Sequence, residues 1–104
     1  MTGKLESYLG FCIKSGKVLF GFDALCETSK NVKLVVVCPL VNSKVEQKLI
    51  KLCENKKWTM VKSNATLGDV IHRDNCKTLG VLDSNLAKAI LNCGEVKLIQ
   101  KGVL

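Results

Sequence analysis

One proline, one histidine, one tryptophan and one tyrosine are all that this chain holds of those residue types, and arginine too occurs once, at position 73. With Pro39 as the single proline, nearly every position is free to join a helix or a hydrogen-bonded ladder. A lone histidine and the lack of any Cys-x-x-C pair leave no zinc-ligand spacing. No uninterrupted apolar run approaches the length that crosses a bilayer. Lys4 and Glu6 break the N-terminus before any apolar stretch, so no secretory leader is expected. Aromatic residues make up 5% of the chain, which points to an aliphatic core.

Lysine is what the chain has in abundance. It supplies 15 of the 16 basic residues, against nine acidic ones, for a formal net charge of +7. A surplus of that size in 104 residues favours a polyanionic partner, with nucleic acid ahead of a membrane surface. The hydrophobic content of 47% excludes a disordered tail as the whole account and fits one folded domain. Six cysteines, at 12, 26, 38, 53, 76 and 93, sit mostly in apolar company, where cysteine behaves as a small hydrophobe. Free thiols in a reducing cytosol are the expectation; a three-disulfide scaffold would need a leader.

Helices and short apolar strands alternate along the chain. Leu5, Leu9, Cys12 and Ile13 recur at helical spacing, which predicts a helix over 3–15. Residues 17–20 read as a strand and 22–29 as a short helix. The β-branched run 32–38 has the mark of a strand buried on both faces, ended by Pro39. Ser43-Lys44-Val45-Glu46 has the spacing of a capping box, opening a helix that buries Val45, Leu49, Leu52 and Cys53. Its lysines at 44, 48 and 51 are expected to face solvent. Strands are predicted at 58–61 and 78–82, with a short helix over 64–71 between them. Asp83 or Ser84 caps a last helix carrying Leu86, Ile90 and Cys93, and Gly94 suits its end. The alternation predicts an α/β fold: a single-domain three-layer α/β/α sandwich around a small mixed four-stranded sheet. That domain is expected over 1–94. Residues 95–104 form a tail, either an edge strand or disordered.

The stretch Lys14-Ser15-Gly16-Lys17-Val18-Leu19-Phe20-Gly21-Phe22-Asp23-Ala24 concentrates the functional signal. A glycine turn leads to a strand, and a second glycine opens a helix whose first N–H groups lack internal partners. Such an end, flanked by Lys14 and Lys17, is read as a seat for a phosphate. His72-Arg73-Asp74 matches the catalytic tripeptide of protein kinases, but no glycine-rich nucleotide loop accompanies it. Cys76 and His72 form a nucleophile–base spacing without a third group to orient the histidine. No enzyme, metal or cofactor is expected. Trp58 is expected to anchor the core or its edge.

Gly16 to Ala24 resembles the strand-to-helix signature of the L-seven-Ae / L-thirty-e family of ribosomal proteins, which bind kink-turn RNA. Lys33 to Val37 is similar to that family's second strand, and Leu52-Cys53-Glu54-Asn55-Lys56 to its helix-ending stretch. Thr66-Leu67-Gly68 with Leu79-Gly80-Val81-Leu82-Asp83 resembles the closing helix–loop–strand. Leu86 to Ile90 resembles the last helix of small bacterial members. The likeness covers residues 4–93 and implies the same three-layer sandwich.

The resemblance implies an RNA site of Lys14, Lys17, Gly21, Phe22, Asp23 and Ala24, with His72, Arg73 and Lys77 from the loop before the last strand. Gly21 stands at the family's glycine and Lys17 at its turn lysine. Asp23, Ala24 and Glu27 replace the family's Asn, Glu and Lys. Asp23 keeps an acceptor for guanine but loses the amide donor; read without the resemblance, it caps the helix. The 72–77 loop, apolar in the family, is polar here. The implied activity is non-catalytic binding of bent RNA by a cytoplasmic, ribosome-associated monomer, with no membrane or small-molecule substrate. The alternative is a protein-interaction module of the same fold, favoured by Ala24 and Glu27. A thiol enzyme, the third option, would require an unusually acidic cysteine.

Overall fold

Alternate residues of one strand face two different cores. Leu34 and Val36 join Leu5, Leu9, Cys12, Leu79, Val81, Ala87 and Ile90, while Val35 and Val37 join Leu25, Leu49, Cys53, Trp58 and Met60. The period-2 alternation of a strand puts its side chains on both faces, and here both faces are covered. This computed structural model describes residues 4–64 and 77–102. Their elements are α1 (Lys4–Lys14), β1 (Val18–Phe20), α2 (Phe22–Glu27), β2 (Leu34–Val37), α3 (Ser43–Lys56), β3 (Thr59–Ser63), β4 (Thr78–Val81), α4 (Ser84–Leu91) and β5 (Val96–Gln100). α1 and α4 cover one face of the sheet, and α2 and α3 cover the other. The expected three-layer α/β/α arrangement is the observed one.

The sheet has five strands rather than four, in the order β1-β4-β2-β3-β5. β2 and β3 are parallel, joined by the α3 crossover, and the remaining pairs are antiparallel. The fifth strand comes from the segment expected as a tail. Val96 to Gln100 pairs with β3, with a register shift between Met60 and Val61. Residues 95–100 therefore belong to the domain. The predicted helix over 64–71 lies, apart from Asn64, outside the described residues.

The capping box at α3 is not formed. Asn42 is the N-cap, its Oδ1 accepting from Lys44 N–H at 2.8 Å, so Ser43 is already helical. Asn competes on equal terms for the cap. Glu46 shifts one position inward as a result, and its carboxylate meets the Lys62 ammonium on β3 instead of turning back. Asp83 caps α4, its Oδ1 accepting from Leu86 N–H at 3.0 Å. That helix ends at Leu91, short of Cys93.

A cap that sequence did not suggest holds α1. The Glu95 carboxylate accepts from Lys4 N–H at 3.1 Å and Leu5 N–H at 3.0 Å. The start of the first helix is thereby tied to the approach of the last strand.

Candidate nucleic-acid interface

Strand pairing sorts the expected site residues into two groups. Phe20 pairs with Leu79, and Gly21 N–H donates to Thr78 O at 3.0 Å. Val37 pairs with Thr78, and Cys38 N–H donates to Lys77 O at 2.7 Å. Gly21, Phe22, Asp23, Ala24 and Lys77 thus gather at one end of the sheet, where β1, β2 and β3 finish. We term this the carboxyl pole. Lys17 lies at the other end: its carbonyl accepts from Leu82 N–H at 2.9 Å, and its N–H donates to Cys12 O at 2.8 Å. Lys14 closes α1 beside it. This is the amino pole.

Lys14 and Lys17 therefore do not flank the start of α2. The four residue steps from 17 to 21 run along β1 and extend for about 13 Å. What the two lysines and the α2 start share is the β1 edge of the sheet. Lys14, Lys17 and Lys77 are exposed. The described part of the tail pairs at the opposite edge of the sheet from β1. His72 and Arg73 lie outside the described residues, as does Cys76.

The turn between α1 and β1 needs Gly16, whose φ is +70°. Gly21 has φ +91°, a conformation L side chains rarely adopt, and it is the N-cap of α2. Gly21, which has no side chain to cap with, holds the N-cap position in place of Asp23, and no side-chain cap bond is made there among the described residues. Asp23 is instead exposed within the first turn. Its carboxylate is open to an outside donor, and it repels phosphate. Phe22 is half-buried against the α2/α3 core, and Ala24 is half-buried too. α2 ends at Glu27, two residues earlier than expected. Thr28 adopts extended backbone, and its Oγ1 accepts from Lys30 N–H at 3.0 Å. That local bond competes with another helical turn.

Trp58 is 5% exposed, so it is a core residue and not a stacking platform. Lys44, Lys48 and Lys51 are exposed, as expected. Cys12, Cys26, Cys38, Cys53 and Cys93 are free thiols. Burial pushes Cys12 up to about 11, helped by the nearby Asp83 carboxylate, and Cys53 up to about 12 by burial alone. Both are neutral at pH 7 and neither is an activated nucleophile. No cluster of three metal-ligating side chains occurs among the described residues. No helix among them is long and apolar enough to cross a membrane.

Sequence reasoning missed a concentration of cations at the amino pole. Lys33, Lys56, Lys57 and Lys88 line one cleft there. They come from separate stretches of chain, and the single local hint was the pair Lys56-Lys57 just before Trp58.

No protein-family model matches this chain, and no curated protein matches it significantly. Solved structures do match. One is a protein with unknown function from Bacillus halodurans, 20% identical, with a TM-score of 0.73 over 86% of this chain and 94% of that one. At that identity the likeness is one of fold.

Proposed function

We propose that this chain is a non-catalytic RNA-binding protein that holds sharply bent, kink-turn-like RNA along the β1 rim, in association with the ribosome in the cytoplasm. One observation carries the reading. The Gly21 N–H···O Thr78 bond joins the start of α2 to the strand that follows the second expected contact loop. Gly21 and Lys77, which the family resemblance draws from two RNA-contacting stretches, are far apart in sequence and adjacent here. Lys77 supplies charge at that junction, and Lys14 and Lys17 extend it along the rim. A net charge of +7 supplies the long-range attraction. Asp23, which is exposed, would accept from a base edge, while phosphate contacts set register.

The test is a titration of kink-turn RNA against a straight duplex of equal composition. Tighter binding to the bent RNA is expected, with affinity falling as salt rises by a log–log slope of about −0.9 per phosphate neutralised on duplex-like RNA. Equal affinity for the two would remove structure-specific recognition.

A second reading has its own observation. Asp23 and Glu27 are both exposed on α2, where they oppose phosphate. A protein-interaction module of the translation machinery would tolerate them. Recovery of the same protein partners after complete nuclease digestion is its expected result.

A further inference from the structure

The amino pole carries a cleft of about 380 Å³ whose lining includes Lys33, Lys56, Lys57 and Lys88 and, among the described residues, no acidic side chain. That volume is in the range of small-ligand sites. Lys33 is held at the entry to β2, its N–H donating to Val81 O at 2.8 Å. Lys56 ends α3. Lys57 follows in the left-handed conformation at φ +61°, its N–H directed to Cys53 O and Glu54 O. Lys88 comes from α4, on the other face of the sheet. The dipole at the carboxyl end of α3 favours Lys56 and Lys57. It gives no reason for Lys33 and Lys88 to converge on the same space.

None of the four ammonium groups is paired with a carboxylate among the described residues, where Glu46–Lys62 is the ion pair. Asp83, next to the cleft residue Ser84, already accepts from Leu86 N–H through Oδ1. Four like charges around one cleft repel one another, and an anion seated among them relieves that repulsion. Lysine heads are compact point charges without the planar fork that reads a carboxylate or a base edge. Trp58 also lines the cleft, but at 5% exposure it offers no face for ring stacking. The lining therefore selects for dense negative charge.

We propose that this cleft binds an oligophosphate, a ligand carrying adjacent phosphoryl groups. Two sources share that chemistry: a free polyphosphate anion and a stretch of RNA backbone. The site lies at the opposite pole from Gly21 and Lys77; it shares the amino pole with Lys14 and Lys17 but neither lines it, and the proposal does not rest on RNA binding at the β1 rim.

The experiment is an NMR and calorimetric titration of the full chain with tripolyphosphate at physiological ionic strength. Shifts are expected at the amides of Lys33, Lys57 and Lys88. Lys33→Gln/Lys88→Gln should weaken binding tenfold or more, and Lys33→Arg/Lys88→Arg should retain most of it. Lys48→Gln/Lys51→Gln, with the same charge loss on the outer side of α3, should stay within twofold of the parent. Equal losses in the two Gln pairs, or shifts spread over all lysines, would overturn the proposal in favour of general charge attraction. No binding to the parent chain would overturn it as well. A second arm assigns the source once tripolyphosphate binds: displacement by RNA identifies the backbone, and simultaneous binding of both identifies the free anion.

Discussion

The side chain of Leu25 on α2 fills the space that a Cβ on Gly80 of β4 would take. Leu25 is fully buried and its helix is short, so its anchorage depends on this close approach. Gly80→Ala should overpack the contact and cost about 1–3 kcal/mol, read as a fall in the denaturation midpoint. Groups in direct contact do not contribute additively. Gly80→Ala should therefore cost less in a Leu25→Ala background than in the parent chain. An equal cost in both backgrounds would place the strain elsewhere.

Glu95 makes the second prediction. Its two oxygens each accept from an N–H in the first turn of α1. Glu95→Ala should cost about 0.5–2 kcal/mol, the range for loss of a helix cap. Hydrogen exchange at Lys4 and Leu5 should accelerate more than at mid-helix Leu9. Unchanged protection at those two amides would show that water replaces the carboxylate without loss.

At the β1 rim, Lys17→Glu should weaken kink-turn RNA binding tenfold or more, on the order of 1.4 kcal/mol. Asp23→Asn should act in the opposite direction. It keeps an oxygen acceptor, adds an amide donor and removes a charge that repels phosphate. A severalfold gain in affinity is expected, read in the same titration. If Asp23→Asn has no effect while Lys17→Glu does, RNA contacts the rim through phosphates and leaves the α2 side chain untouched.

These residues differ in how far sequence alone could reach them. Val35 and Val36 announced a doubly covered strand, because a β-branched run without polar interruptions leaves no solvent face. The cap at α3 was one residue off, since Asn42 and Ser43 are neighbouring N-cap formers and only the backbone decides between them. The fifth strand was open because Val96 to Gln100 has a partly exposed pattern, as edge strands do. The separation of Lys17 from Gly21 has a plainer physical cause. Four residues are close in sequence, yet a strand spreads them along its full length, whereas a helix would have stacked them on one face. The lysines of the amino-pole cleft had no sequence spacing to betray them, because three separate stretches of chain deliver them.

Alkaline stability supplies the last prediction. An ordinary thiol titrates near 9.0, and in the folded chain Cys12 is raised to about 11 and Cys53 to about 12. The unfolded chain thus loses these protons first. Above pH 9 the folded state binds more protons than the unfolded state, so raising the pH favours unfolding. The stabilisation from keeping both thiols neutral is complete below pH 9. It declines by about 1.4 kcal/mol per pH unit for each thiol until the folded-state value is reached. Every other group is common to the parent and to a variant that alters only the cysteines, so the comparison isolates the two thiols. Urea midpoints measured from pH 8 to 11 should therefore fall more steeply for the parent chain than for Cys12→Ala/Cys53→Ala. The variant begins lower at pH 8, because two buried sulfurs have been removed, and the two curves should converge as the pH rises. Parallel curves would mean that the thiols titrate alike in both states, and that neither sulfur is as shielded from water as its burial implies.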